Sequence, residues 1–316
     1  MEAKDISQLA AEFASGELDR NAYWLAMQQH HRQLCHYSQF VARAKLAGIE
    51  IGPEELRIVL LNGLKFRWDM EDIRTAPNIL INHGEYEAGE LKMIQRLTRN
   101  AQVAFDIGSN IGWYTLHLAQ WLGKRGGRVF AFEPLPPTFS ALSRNLALND
   151  CAKHVEAARL SLADQEGKAT FYVPGFTGSV AASRRPLFPQ EQNTTFECPM
   201  TTLDQFTHIH KVERIDFLKC DVEGSELTVL RGGLKTLSAC RPVILLEMLR
   251  KWAATFDYHP NAIIELLGGL GYDCGYFEGG QFRGVATVAE DCVQTNFFFL
   301  HKAAHAHLRT LETVGA

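Results

Sequence analysis

Three periodicities divide the chain. Up to about residue 50, apolar and aromatic positions recur at helical spacing. Trp24, Met27, His31, Leu34 and Tyr37 share one face, which predicts a long helix from about Arg20 to Leu46, capped by Asp19 and ended by Gly48. Between residues 55 and 69 the period drops to two. Leu56, Ile58 and Leu60 alternate with other residues, Asn62-Gly63 follows, and Leu64, Phe66 and Trp68 alternate again, which predicts a β-hairpin packed on the edge of the main domain. A helix from about Glu87 to Arg99 leads into the third regime, which begins at residue 102. Strands are expected there at 102–108, 128–133, 154–162, 215–221, 242–248, 272–278 and 295–301. Helices are expected at roughly 112–123, 136–149, 201–210, 224–238 and 260–269, and such alternation builds a largely parallel sheet. Ala169 to Val173 interrupts the order as a hairpin-like excursion. Residues 174–195, rich in Pro, Gly, Ser, Thr and Arg, read as a long functional or mobile loop, and the tail after His301 as a short helix. The chain thus divides into an N-terminal helical and hairpin extension (1–80), a main α/β domain (81–302) and a tail (303–316).

The first strand of the main domain runs into a turn punctuated by Gly108 and Gly112, and the next strand ends in Glu133-Pro134. Strand, glycine turn, helix, strand, acid is the layout of a nucleoside site. Glycines alone would fit many α/β turns; the acids narrow the reading. A dinucleotide fold would carry G-x-G-x-x-G with its pyrophosphate on the helix N-terminus. Here Asn110 stands where the closest-approach glycine would be, and Asp106, two residues before Gly108, repels a pyrophosphate. A carboxylate there suits a cationic ligand, such as the methionyl end of S-adenosylmethionine with its ammonium and sulfonium. Glu133 is placed to accept the ribose hydroxyls.

A second constellation lies downstream. The strand Ile215 to Cys220 ends in Asp221-Val222-Glu223-Gly224, and Ser225-Glu226 opens a helix that stops at Gly232-Gly233. Glu247 ends the strand that follows. Ligands in open parallel sheets sit beyond the carboxyl ends of strands, so Asp106, Glu133, Asp221 and Glu247 share one rim. Four carboxylates repel one another unless cationic ligand groups, a metal or shared protons relieve them. Helix capping is the structural alternative for Asp221 and Glu223. Strand alternation turns Lys219 away from Cys220, to pair with a helix acid; Cys220 reads as core, because no histidine partner is evident.

Composition removes several classes. At 316 residues and 46% hydrophobic content the chain can bury a sizeable core, and a net charge of −4 gives no global basic field for nucleic acid. Seven scattered cysteines, none in C-x-x-C, argue against a zinc site or a disulfide framework and for a reducing compartment. The N-terminus lacks signal-peptide character and no apolar run reaches the length of a membrane span, so a cytoplasmic protein without membrane contact is expected. His30, His31 and His36 read as packing or solvated groups, and Asn193-Thr194-Thr195 as a chance sequon.

Phe105-Asp106-Ile107-Gly108-Ser109-Asn110-Ile111-Gly112-Trp113-Tyr114, Phe132-Glu133-Pro134, Thr202-Leu203-Asp204, Leu218-Lys219-Cys220-Asp221-Val222-Glu223-Gly224-Ser225-Glu226 and Pro242 to Glu247 resemble the FkbM-type methyltransferases over about residues 83–302. The Asp-Val-Glu-Gly strand end is the distinctive part. The resemblance implies a class I methyltransferase (Rossmann-like) fold, an α/β architecture with a seven-stranded, mostly parallel sheet whose last strand is antiparallel. It implies S-adenosyl-L-methionine as donor and O-methylation of a hydroxyl on a sugar or secondary metabolite. Carried over, Asp106, Gly108, Asn110 and Gly112 line the methionine end, Glu133 takes the ribose, and Ser161 to Asp164 lie by the adenine; Glu87, Ser109, Trp113, Pro134, Leu162 and Asp221 complete the candidate cofactor set. Ser109 replaces the usual Ala and Cys220 the usual Ile, neither in a polar role. The candidate catalytic residues are Asp221 as base, with Glu223 and Glu247. No metal set is assigned, although Asp221 and Glu247 could hold a divalent ion that acidifies the hydroxyl. His83 is a weaker base candidate, and Arg184-Arg185 could bind an acidic acceptor. The first 80 residues, largely outside the resemblance, could set specificity for a small-molecule or glycoside acceptor, and the aromatic helix at 20–46 could join a homodimer. The rival readings are a nicotinamide-dependent oxidoreductase and a non-catalytic nucleoside- or partner-binding module.

Overall fold

A computed structural model describes residues 4–175 and 181–310. Part of the stretch read as a long loop and the last residues of the tail lie outside the described residues. The extension opens with α1 (Ile6–Ser15) and α2 (Arg20–Arg43). Asp19 caps α2 as expected, its carboxylate accepting from the amides of Asn21 (2.8 Å) and Ala22 (3.0 Å). Gly48 does not end the helix. Lys45 takes a left-handed φ of 51° and reverses the chain into β1 (Leu46–Ile51), which pairs antiparallel with β2 (Leu56–Leu60). Burying Leu46 against the extension's sheet outweighs the helical continuation.

The expected hairpin is present: β2 turns at Asn62-Gly63 into β3 (Lys65–Trp68), and Ile58 and Phe66, cross-strand partners, are fully buried. It does not pack on the sheet edge. The amides of Lys65 and Arg67 donate to the side chains of Asn149 (2.9 Å) and Asn145 (2.8 Å), and the Phe66 ring lies 5.0 Å from Trp113. Asparagine carbonyls thus satisfy backbone donors that a sheet partner would otherwise take. Two helices follow, α3 (Ala76–His83), which the sequence pattern did not announce, and α4 (Ala88–Leu97). Among the described residues α2 buries none of its side chains, and Trp24, Leu25 and Leu34 stand exposed.

The main domain runs β4 (Val103–Ile107), α5 (Trp113–Gly123), β5 (Arg128–Phe132), α6 (Pro136–Ala147), β6 (Val155–Ala158), β7 (Ser161–Ala163), β8 (Gly167–Pro174), β9 (Asn193–Thr202), α7 (Leu203–Ile209), β10 (Phe217–Cys220), α8 (Glu226–Arg231), α9 (Leu234–Cys240), β11 (Val243–Glu247), α10 (Arg250–Thr255), α11 (Asn261–Gly269), β12 (Tyr272–Glu278), β13 (Gln281–Gly284) and β14 (Asn296–His301). The large sheet has the order β13-β12-β14-β11-β10-β4-β5-β6, with β14 antiparallel to both neighbours. Without β13 this is the class I methyltransferase order. The expected count of seven strands becomes eight because β12 folds back on itself at Gly279-Gly280, both at positive φ, and adds β13 at the edge.

Three further expectations change. The strand at 154–162 breaks after Ala158: β6 stays in the large sheet, while β7 joins a separate sheet of order β7-β9-β8. The excursion at 169–173 is part of β8, which pairs along its length with β9, a strand expected as loop and unassigned sequence. The helix at 224–238 divides at Gly232-Gly233. A Cβ on Gly232 would lie 1.8 Å from the Ala163 carbonyl, so β7 presses on that point.

Strand alternation sorts the core to both sheet faces. Phe105 and Ile107 pack with Phe130, Phe132 and Phe206 on one side; Ala104 faces Leu116, Leu118 and the buried hairpin on the other. Asp106 shares the face of Ala104. Among the described residues no helix is long and apolar enough to cross a membrane.

Candidate active site

The turn after β4 is built by three left-handed residues: Gly108 (φ 77°), Asn110 (φ 48°) and Gly112 (φ 94°). Asn110 holds its position because asparagine tolerates that region better than most side chains. Gly108 is required by close approach, since a Cβ there would lie 1.8 Å from the Asp221 carbonyl. The turn and the end of β10 therefore touch. Glu133, beyond β5, is buried. Its Oε2 accepts from the Asn110 amide (3.0 Å) and its Oε1 from the Leu135 amide (3.0 Å). Burial pushes this carboxyl up to about 7, against the pull of the two amides.

Asp106 is wholly buried beneath this turn. Its Oδ2 accepts from the Thr115 hydroxyl (2.6 Å). Burial raises its pKa, opposed by the charge of Lys219 and the bond from Thr115. The register of β10 on β4 pairs Lys219 with Asp106, so the two side chains share a face. Lys219 does not reach a helix acid. Its Nζ donates to Asp221 Oδ2 (3.1 Å), lies 3.9 Å from Asp106 Oδ1, and sits over the Tyr114 ring at 4.9 Å. Burial works against its charge, yet Asp221, Asp106 and Glu87 together raise its pKa.

Helix capping is not the role of Asp221 or Glu223. Glu223 (φ 52°) and Gly224 (φ 98°) form a left-handed turn, and the amides of Val222 (3.0 Å) and Gly224 (3.2 Å) donate instead to Glu226 Oε1. Glu226, also buried, is pushed up to about 7 by that burial. Glu223 and Glu247 are freed for the cavity. With Asp221 they present carboxylate oxygens within 4.8 Å of one another. Burial first, and the charge of Asp221 second, raises the pKa of both Glu223 and Glu247.

One cavity unites these parts, with an empty volume of about 1100 Å³ including its open mouth. Of the residues named from the sequence, Glu87, Gly108, Ser109, Asn110, Trp113, Glu133, Pro134, Ser161, Leu162, Asp221, Glu223 and Glu247 line it. Asp106 and Gly112 stand behind the wall, the first under Lys219, the second where a Cβ would meet Leu142 at 2.7 Å. The walls also include Arg74, Thr75 and Ala76 from the extension, Tyr86, Tyr114 and Lys219. Sequence reasoning missed these. Lys219 had a signal, two positions before Asp221 on the same strand face; the others had none.

Five buried polar atoms around the cavity have no hydrogen-bond partner: Glu87 Oε2, Asp106 Oδ1, Ser109 Oγ, Trp113 Nε1 and Glu223 Oε2. Native interiors rarely leave such groups unsatisfied, so their gathering marks a ligand site. Acceptors beside donors, with Glu133 across the turn, fit the zwitterionic methionyl end and ribose of S-adenosylmethionine. His83 is exposed at the end of α3 and is absent from the cavity wall. Arg184 donates to the Thr228 hydroxyl and packs on the Phe256 ring, and Arg185 donates to the Thr255 carbonyl and to Asp257 (2.7 Å). Both arginines tie their loop to α8 and α10. Cys220 is buried core, and burial pushes its thiol up.

Strand order, glycine turn and acid-tipped rim define a class I methyltransferase fold. Residues 106–277 match the family model described as the methyltransferase FkbM domain, more than half of the chain, and the protein belongs to that family of S-adenosylmethionine-dependent methyltransferases. It is 32% identical over 158 residues to methyltransferase sdnD of Sordaria araneosa, covering 40% of this chain and 58% of that protein. It is 30% identical over 161 residues to the hexuronic acid methyltransferase AglP of Haloferax volcanii, covering 50% and 62%. To the 31-O-demethyl-FK506 methyltransferase FkbM of Streptomyces tacrolimicus it is 30% identical over 160 residues, covering 42% and 60%. The matches thus span somewhat over half the length of these curated relatives.

Proposed function

We propose that the protein transfers a methyl group from S-adenosylmethionine to a hydroxyl oxygen of a sugar or related secondary metabolite, with Asp221 as the general base. The observation that carries this reading is the bonding of Asp221. Lys219 holds one of its oxygens, while Oδ1 takes no protein donor among the described residues, in a cavity with five orphaned polar atoms. When bound, the donor supplies an electrophilic methyl carbon on a positively charged sulfur. The acceptor oxygen forms the new bond to that carbon as the carbon–sulfur bond breaks, and the hydroxyl proton goes to Asp221. Holding the reactants in line supplies roughly 7–11 kcal/mol, and a positioned base adds about 10²–10⁴ in rate. Glu223 and Glu247, whose pKa values burial and the charge of Asp221 raise, line the cavity beside the base and face the acceptor. Names among the relatives support a hydroxyl-bearing acceptor: one is a hexuronic acid methyltransferase, another acts on 31-O-demethyl-FK506. Arg74, Thr75 and Ala76 bring the extension into the cavity wall, where it shapes acceptor choice. Seven free cysteines accord with work in the cytoplasm.

Asp221→Asn tests the base. S-adenosylhomocysteine affinity by calorimetry should stay near wild type while turnover on a panel of glycosides collapses; unchanged turnover sinks the assignment. Asp106→Ala and Glu133→Ala should instead weaken cofactor affinity. The spacing of Asp221, Glu223 and Glu247 favours one second reading, a divalent cation held among them. Turnover abolished by a chelator and restored by Mg²⁺ supports it; turnover indifferent to the chelator excludes it.

A further inference from the structure

Carboxylates crowd this rim, and one buried cation stands among them. Lys219 is 6% exposed, and a charged ammonium is retained at such depth only where opposite charges surround it. Every neighbouring element supplies something to it. β4 brings Asp106, α5 brings Tyr114 and Thr115, the residue before α4 is Glu87, and β11 ends at Glu247. Asp106 is itself fixed from the far side, since Oδ2 takes the Thr115 hydroxyl at 2.6 Å while Oδ1 faces Nζ at 3.9 Å. Nζ then donates to Asp221 Oδ2 at 3.1 Å. Thr115 fixes Asp106, Asp106 faces the ammonium as an ion pair, and Lys219 bonds Asp221, so this line of groups leads from beneath the glycine turn to Asp221.

We propose that Lys219 is a positioning residue for methyl transfer: braced on Asp106, it grips the Asp221 carboxylate by Oδ2 and so presents Oδ1 to the acceptor hydroxyl. This rests on the reading of Asp221 as the base. Glu223 and Glu247 lie within the same group of oxygens, yet among the described residues neither bonds the ammonium, so the lysine singles out one acid of three. A purely structural lysine would hold the fold without regard to which oxygen of Asp221 is free. The bond to Asp221 gives it a different signature, coupling in turnover.

The test is a double-mutant cycle on the full chain, with kcat measured on an accepted glycoside and S-adenosylhomocysteine affinity measured by calorimetry. Lys219→Met should lower kcat on the order of 10²-fold, the low end of what a positioned base contributes. It should leave the S-adenosylhomocysteine dissociation constant near wild type. Because both residues act through one carboxylate, Lys219→Met/Asp221→Asn should be no slower than Asp221→Asn alone. Wild-type kcat in Lys219→Met, or a double variant slowed by the product of the two single losses, overturns the proposal. Wild-type kcat in Asp221→Asn is the separate failure of the base assignment, visible without any Lys219 variant. Should Lys219→Met fail to fold because Asp106 is left without its cation, the comparison moves to the Asp106→Asn background. There, adding Lys219→Met should again lower kcat on the order of 10²-fold, and equal kcat overturns the proposal.

Discussion

Asp216 and Asp221 flank the same strand, β10, and do opposite things. Asp216, at the N-terminal end, has every oxygen engaged. Its Oδ2 accepts from the amides of Gln102 (2.8 Å) and Val103 (3.0 Å), and its Oδ1 accepts from Arg214 Nε (2.7 Å). Asp221, at the C-terminal end, has one oxygen held by Lys219 and one open to a cavity whose walls carry orphaned donors and acceptors. Residue type and burial context are alike; the difference lies in how many lone pairs the fold has already used. A carboxylate with all its oxygens committed staples strands together, whereas one left half-committed at the binding end of a parallel sheet is available for chemistry.

The comparison breaks most sharply under substitution. Asp221→Asn should cost about 10²–10⁴ in kcat and little in stability, because Asn retains an oxygen for Lys219. Asp216→Ala should do the reverse. It leaves two buried amides and an arginine without their acceptor, a loss of about 1–3 kcal/mol read as a lowered Tm, while kcat stays near wild type. Equal losses of turnover in the two variants would erase the distinction.

A smaller effect is expected with pH at the cavity end. Glu133 has a folded pKa of about 7 against an ordinary value of 4.5, so between these values the folded state binds the extra proton. The contribution of Glu133 to stability then falls as pH rises through that window. From about pH 5 to about pH 8 the Tm of the ligand-free wild type should fall relative to that of Glu133→Gln, which lacks this contribution. Glu226, also raised to about 7, contributes slope of the same sign in that variant, as do Glu223 and Glu247.

The smallest effect is expected far from either carboxylate. Trp24 and Leu25 are 63% and 66% exposed on α2, the helix read as a homodimer element. Trp24→Ser/Leu25→Ser should leave kcat unchanged, and sedimentation velocity should record dissociation of a dimer joined through that face. An unchanged sedimentation coefficient removes α2 from the assembly and leaves the site reading intact.

Much of the fold was legible along the chain. The apolar runs ending at Ile107, Phe132, Cys220 and Leu246 were strands; Glu133, Asp221 and Glu247 at their ends reached one cavity, while Asp106 stands behind its wall. Asn62-Gly63 turned a hairpin as its chemistry required. The misses share a cause. Lys45 diverts the chain from helix to strand because β1 finds a partner in β2, and nothing near Gly48 announces that pairing. In β9, Phe196, Cys198 and Met200 do alternate, but Glu197 and Pro199 between them, with Asn and Thr on either side, masked a strand whose partner β8 lies across a long connection. Arg74 to Ala76 reach the cavity only because the hairpin docks on Asn145 and Asn149.

The sequence by itself determined the donor class and the candidate acids. Turn chemistry at Gly108, Asn110 and Gly112 and the acid-tipped strand ends are local properties, set by backbone sterics and side-chain alternation within contiguous residues. Tertiary structure alone decided which acid is held and which is free. That depends on the register of β10 against β4, which sets Lys219 beside Asp106, and on a turn that gives the amides of Val222 and Gly224 to Glu226 and leaves Glu223 to the cavity. Hydrogen-bond occupancy is a property of partners distant in the chain, so only the folded arrangement could assign it.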